Sequence, residues 1–306
     1  GFLRKVLDYK PDIIIINEFS IISLYGIIIN KVLSGNIIVL LVESKPIQNE
    51  KGILKYMKYL FRKYISNNVN AIVTNNELGS NFLINNLGVD SKKIIIKPYL
   101  VSQIEGVELI GKVNPWISKN SSSKDVDFIF VGRLIYQKGL QYAITAFSNV
   151  FKKGVVGFNF HIIGDGPYLT ALKQLVKAEG IEDRVHFYGS KDHVELIRFY
   201  SRAHVFIFPS LRDYRALVPF EALSFGLPII DSIYNGGSSE TVDEGYNGFV
   251  IDPINEQQFS EVIMKMIVSK SELKEYSKRS FDISSKYTLE NSISALLEAI
   301  DLALSN

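Results

Sequence analysis

Short, unbroken apolar runs recur along the chain, each followed by a polar loop. IIII at 13–16, IIVLLV at 37–42, AIVT at 71–74 and the III of KIIIK at 93–97 come first. FIFV at 128–131, FHII at 160–163, VHFY at 185–188, VFIF at 205–208 and PIID at 228–231 follow. Runs of this length without alternation mark strands buried on both faces, the situation of a parallel sheet between helices. Between the runs the period changes. Leu140, Ala143, Ile144, Phe147, Val150 and Phe151 repeat at helical spacing, and Lys152-Lys153-Gly154 closes that helix. The expected fold class is α/β, with parallel sheets and ligand loops beyond the C-terminal strand ends.

The 306 residues leave room for two ordinary domains. Residues 101–126, with Gly, Asn, Pro and the run KNSSSKD, make the best linker. The expected division is a first domain over 1–112, a linker over 113–126, a second domain over 127–285, and a last helix over 286–306 that packs back on the first domain. Residues 2–9 read as a helix end leading straight into the strand at 13–16, where a doubly wound domain has earlier βα units. The first domain is therefore expected to be truncated at its start.

Charge and cysteine content narrow the chemistry. The 34 Lys and Arg against 32 Asp and Glu give a net charge of +2, too small to argue for nucleic acid. Residues 1–125 hold 16 basic against 10 acidic side chains, a sign suited to an anionic surface or acceptor and equally explained by solubility. Zero Cys excludes disulfides and thiolate metal sites, no run approaches the length of a membrane span, and no cleavage signal follows a charged start, so the expected location is cytoplasmic. Residues 49–64 form a basic amphipathic helix, with Lys51, Lys55, Lys58 and Arg62 on one face and Leu54, Met57, Leu60 and Phe61 on another. Its apolar face is either core or a peripheral membrane contact.

Four loops carry candidate chemistry. In GRLIYQKG, Arg133 and Lys138 are five apart, either a diphosphate clamp or two solvated cations. Gly164, Asp165 and Gly166 open the GDGP turn, whose glycines admit a ligand or a neighbouring backbone. Gly189 can receive a flat base by main-chain contacts. In FIFPSLRDYRALVPFEALSFGLPIID, Asp213 precedes a helix that Pro219 helps to start, and Glu221 lies about a turn inside it. Two carboxylates at such an end suit a ligand with hydroxyls and phosphates; the plainer reading is a capping Asp and a solvated Glu. His161, His186, His193 and His204 show no paired ligand spacing, so no metal site is implied, and the first two read as core residues with a hydrogen-bond partner.

In order and spacing, FVGRLIYQKG, HIIGDGP, RVHFYGS, VFIFPSLRDYRALVPFEALSFGLPIID and DEGYNGFVIDP resemble the C-terminal domain of family-four glycosyltransferases. KPDIIIIN, IIVLLVES and the stretch ending KIIIKPY match the later part of that family's first domain more loosely. The resemblance implies two Rossmann-like doubly wound parallel-sheet domains, the B-type fold, with an acceptor domain first and a donor-binding domain second. It implies a transferase moving a hexose or N-acetylhexosamine from a nucleotide-diphosphate sugar to a glycan or lipid-linked glycan, with retention and without a metal or other cofactor, at the inner membrane face.

On that resemblance Arg133 and Lys138 hold the diphosphate, Glu221 takes the ribose hydroxyls, the base lies near Gly189, and the N–H groups of Ala216, Leu217 and Val218 face the donor. Asp213 stands where the family usually has Glu, contacting the transferred sugar. The family's small-aromatic-small stretch is here Tyr214-Arg215-Ala216, so Arg215 either adds a phosphate or acceptor contact or fills the donor pocket. Glu43 stands where a histidine is frequent, as a base, a sugar contact or a structural strand end. Two other functions fit the same loops: a non-catalytic nucleotide-sugar or glycan-binding module, and a sugar-nucleotide epimerase.

Overall fold

The computed structural model describes residues 8–9, 11–33, 37–43, 51–99 and 125–305. The chain forms two compact units, Gly1–Val101 with Thr288–Asn306, and Ser102–Tyr287. Asp8 and Tyr9 are helical; the rest of the expected opening helix, and positions 113–124 of the expected linker, lie outside the described residues.

In the first unit, strands Ile13–Asn17 (β1), Ile37–Val42 (β2), Ala71–Thr74 (β3) and Ile94–Ile96 (β4) form a parallel sheet in that order. Helices Ile21–Leu33 (α1), Gly52–Asn67 (α2) and Glu77–Leu87 (α3) connect them. Alternate strand residues serve opposite faces. Ile38, Leu40 and Ile72 pack with Ile65, Phe82, Leu83 and Leu87, whereas Val39, Ala71 and Val73 meet Ala295, Ala299 and Ala303. Those three alanines, four apart, belong to the final helix Leu289–Ser305, whose small side chains let it lie close on the sheet.

The second unit places Val126–Val131 (β5), Phe158–Ile163 (β6), Val185–Phe187 (β7), Val205–Phe208 (β8), Ile229–Ser232 (β9) and Gly248–Ile251 (β10) in a parallel sheet of order β10-β9-β8-β5-β6-β7. Leu140–Lys152 (α4) follows β5, Leu169–Glu179 (α5) follows β6, His193–Arg202 (α6) follows β7, and Val218–Ser224 (α7) follows β8. Ser238–Thr241 (α8), Glu256–Val268 (α9) and Lys270–Ser284 (α10) complete the unit, which makes the Leu289–Ser305 helix α11. Phe147 of α4 sits among Phe128, Phe158 and Phe160, with ring centroids 5.0, 5.0 and 4.7 Å away. Burying each such ring contributes about 1.5–3 kcal/mol.

The histidines expected in the core are only half-buried. His161 and His186 stack at 5.4 Å on a part of the sheet where a cavity of about 430 Å³ opens beside α6. His161 bridges Tyr188 and Asp127 at 2.9 and 3.2 Å. Burial pushes the Asp127 carboxyl up, but hydrogen bonds from His161, His204 and Asn159 outweigh it and hold the group well below the usual range.

Candidate active site

The second sheet turns at β5: the chain runs outwards through β6 and β7, then crosses to the other side of β5 with β8. At such a switch ligands bind at the loops leaving the neighbouring strands, beyond the carboxyl ends of those strands. Here those loops are 132–139, after β5, and 209–217, after β8. They carry Lys138 and Asp213, and the two side chains meet with Nζ 2.6 Å from Oδ2. Lys138 also lies 4.8 Å over the Phe208 ring, and both charged groups are about four-fifths buried. Arg133, in the same loop as Lys138, is exposed, and its guanidinium has no hydrogen-bond or ion-pair partner among the described residues.

The glycines of these loops serve backbone contact. Gly132 N–H donates to Ile163 O, Gly164 N–H to Gly189 O at 2.8 Å, and Leu134 N–H to Asp165 O at 2.9 Å. A Cβ on Gly164, whose φ is 137°, would fall on the Gly132 carbonyl, and one on Gly166 would fall on that of Leu134. Close approach in the GDGP turn is thus made by a neighbouring loop. Asp165 turns its carboxylate to its own loop, accepting Gly166 N–H at 2.7 Å. Gly189 stands at the end of this chain of loops.

Glu221 sits half-buried in the first turn of α7, where Tyr200 donates its hydroxyl to Oε2 at 3.1 Å. Burial and the nearby Glu221 charge push the Tyr200 phenol well above its usual range, so it stays a donor. Among the described residues the N–H groups of Leu217 and Val218 take no acceptor within the chain. Ala216 differs from that expectation: its N–H is given to Asn235 Oδ1 at 3.2 Å.

Arg215 is placed differently from a phosphate contact. Its side chain is wholly buried, with Nε 3.0 Å from both Glu240 carboxylate oxygens and Nη2 2.7 Å from Oε2, and its guanidinium lies 4.2 Å over Phe220. It fills space beside the loop and neutralises a buried acid, because a guanidinium can be buried only with a partner. Tyr287 closes the cluster, its hydroxyl donating to Glu240 O at 2.9 Å and its ring edge-on to Phe220 at 4.7 Å.

Glu43 lies in the first unit at the end of β2. Its N–H donates to Glu18 Oε1 at 2.7 Å, and its carbonyl accepts from Asn75. Glu18, with the left-handed φ of 57°, has its carboxyl pushed up by burial, and the Glu43 charge adds to this.

Sequence reasoning passed over Tyr200, Asp231, Asn235 and Glu240. Asp231 had a signal, a lone acid closing an apolar strand; Glu240 had none, since its partner is 25 residues away. Among the described residues no three His, Asp or Glu side chains are grouped to hold a metal.

The sequence profile of the group 1 glycosyl transferases matches residues 115–282, more than half of the chain. An uncharacterized glycosyltransferase of Methanocaldococcus jannaschii is 24% identical over 231 residues, 73% of this chain and 63% of that protein. The poly(glycerol-phosphate) alpha-glucosyltransferase of Bacillus subtilis is 26% identical over 174 residues, 57% of this chain and 25% of its own. The chain thus spans less than two thirds of either relative. Among solved structures, HepE of Anabaena in complex with UDP has a TM-score of 0.79 at 15% identity, covering 98% of this chain and 80% of that one. The lipopolysaccharide outer core galactosyltransferase WaaB, in its apo form, has a TM-score of 0.74 at 20% identity, covering 98% and 77%. These two likenesses establish the B-type fold of two Rossmann-like domains. With the profile match across the loops just described, the chain belongs to the group 1 glycosyl transferases, family four of the glycosyltransferases.

Proposed function

We propose that this chain transfers a hexose or N-acetylhexosamine from a nucleotide-diphosphate sugar to a glycan or lipid-linked glycan, with retention and without a metal. The observation that carries this reading is the Lys138–Asp213 pair at the switch point, with Arg133 in the same loop and Glu221 one turn into the helix after Asp213. Arg133 and Lys138 take the diphosphate and neutralise the leaving group as the glycosidic bond breaks, which supplies electrostatically what a metal ion supplies elsewhere. Glu221, oriented by Tyr200, accepts the ribose hydroxyls, and Gly189 borders the base. Asp213, once its lysine turns to phosphate, accepts hydroxyls of the transferred sugar. Glu43 serves the acceptor side as base or sugar contact.

The reaction is placed at the cytoplasmic face of a membrane, with α2 as its surface contact. Ile53, Leu54, Tyr56, Met57 and Leu60 of that helix are exposed, alongside Lys55 and the half-buried Lys58. That pattern suits an acidic lipid surface. No helix among the described residues is long and apolar enough to cross a membrane.

A thermal-shift panel of UDP, GDP, ADP and their common sugars tests the donor reading, because a ligand that binds the folded state raises the melting temperature by mass action. A rise with one nucleoside diphosphate and its sugars is the expected result. No shift with any of them would sink the reading.

A further inference from the structure

The donor reading gives no part to a carboxylate shut away from solvent beside the site. Asp231, the third residue of β9, is fully buried. Its Oδ1 accepts Ser232 N–H at 2.7 Å, and its Oδ2 accepts both the Asn235 amide at 2.9 Å and the Thr241 hydroxyl at 3.1 Å. An acid buried inside a short strand opposes folding unless it is hydrogen-bonded.

The consequence lies at the far end of Asn235. A side-chain amide has one donating and one accepting end. With Asp231 accepting, Asn235 turns its NH₂ inward, and its Oδ1 then faces the N–H groups of Ala216 and Gly237, each at 3.2 Å. The backbone of Asp213 is tied to the same turn, its N–H donating to Tyr234 O at 3.0 Å and its carbonyl accepting Gly236 N–H at 3.1 Å. The loop after β8 is therefore registered on the turn after β9 by these two backbone bonds and by the direction of one amide.

We propose that Asp231 is a positioning residue for sugar transfer: by fixing which way the Asn235 amide points, it holds the Asp213–Ala216 segment and so places the Asp213 carboxylate against the donor. The proposal rests on the donor reading above. Asp231 itself touches no donor in this scheme. Burial, opposed by its hydrogen bonds, pushes its carboxyl up to about 7, so the test is run at pH 8, where the ionised, accepting form dominates.

Asp231→Asn sets one amide against another. With the new amide's oxygen kept on Ser232 N–H, either two NH₂ groups face each other or Asn235 turns over and presents its NH₂ to two backbone N–H groups; with that oxygen turned to Asn235, its NH₂ is set against Ser232 N–H, and each arrangement loses a bond of the turn. The exchange Asp231→Asn/Asn235→Asp restores the match: the amide at 231 donates to the carboxylate at 235, which accepts from Ala216 and Gly237. The measurements are kcat and KM for turnover of the nucleotide sugar found in the panel, calorimetric affinity for its nucleoside diphosphate, and hydrogen exchange of the peptide 213–218.

Asp231→Asn is expected to lower kcat by about tenfold, to leave nucleoside-diphosphate affinity within about threefold, and to speed exchange; the double exchange regains kcat to within about threefold. Unchanged kcat in Asp231→Ala, which offers the Asn235 amide no acceptor, overturns the proposal. So does a double variant that melts like the wild type and remains as slow as the single one. If Asp231→Asn does not fold, the double variant alone decides: kcat within about threefold of the wild type supports the proposal, and a chain that melts like the wild type but is about tenfold slower overturns it. A wild type that binds no nucleoside diphosphate and turns over no nucleotide sugar removes the donor reading instead; unchanged exchange of 213–218 in Asp231→Asn then overturns the loop-holding role separately.

Discussion

Lys138 Nζ and Asp213 Oδ2 stand 2.6 Å apart, so each of these two charged groups is satisfied by the other before any ligand arrives. A diphosphate must compete with Asp213 for the lysine. Lys138→Ala removes a charge-assisted bond worth about 1.5–3 kcal/mol, so affinity for the nucleoside diphosphate is expected to fall roughly ten- to hundredfold. Asp213→Asn removes the competitor. The pair is about four-fifths buried, so the lysine left without its partner should hold a diphosphate as tightly or more tightly while transfer falls. Calorimetry on both variants checks this; weaker binding in Asp213→Asn would show that the carboxylate does not compete.

Glu221→Gln probes the ribose contact. The neutral amide keeps the shape but accepts more weakly, and a bond to a charged group is worth about 1.5–3 kcal/mol. The nucleoside diphosphate should lose that much affinity and free pyrophosphate almost none. Equal losses for the two ligands, measured by competition, would remove the ribose role.

Arg215→Ala leaves the Glu240 carboxylate buried without its partner, at an expected cost of about 3–5 kcal/mol. The paired replacement Arg215→Met with Glu240→Leu puts apolar volume in the same space and should cost much less. Urea denaturation of both, with nucleotide affinity measured on whichever folds, separates packing from ligand contact. Weakened nucleotide binding in a stable double variant would return Arg215 to the donor site.

The buried Asp231 makes stability depend on pH. Its folded value of about 7 lies above the ordinary 3.8, chiefly through burial. The folded chain therefore keeps a proton that the unfolded chain has released. The contribution is whole below about pH 4 and is lost as pH rises through 7, on the order of a few kcal/mol across the window. Asp231→Asn has no such group. The stability difference between it and the wild type should change between pH 5 and pH 8 in the variant's favour, and a flat difference would contradict the buried, proton-retaining acid.

Helix α2 should carry the membrane contact. Ile53, at 80% exposed, and Met57, at 60%, present the apolar face. Replacing both with Asp is expected to abolish sedimentation with vesicles containing anionic lipid while leaving nucleotide affinity intact. Equal sedimentation of the variant would rule the helix out.

Much of this was legible in the sequence because it is local. The apolar runs at 128–131 and 205–208 gave β5 and β8, and the helical spacing from Leu140 gave α4. Lys138 and Asp213 were readable as candidates from their loops, but their pairing depends on the strand order, which places β8 beside β5 across 75 residues. Arg215 shows the opposite limit. Its position in the chain leaves a phosphate or acceptor contact and a pocket-filling role both open, and the distant Glu240 turns it inward. His161 and His186 were expected in the core because their strands are buried; the sheet is not fully covered at β6 and β7, which no periodicity records.

Because Gly132, Gly164 and Gly189 hand hydrogen bonds and close contacts from one strand end to the next, the rim of the proposed donor site is mechanically one piece. A graft meant to change donor choice at any one of these loops would import a backbone whose neighbours are cut to a different shape. The unit that can be exchanged between relatives is accordingly the set of three loops together, and donor preference in such a site should move in blocks and not by single-loop steps.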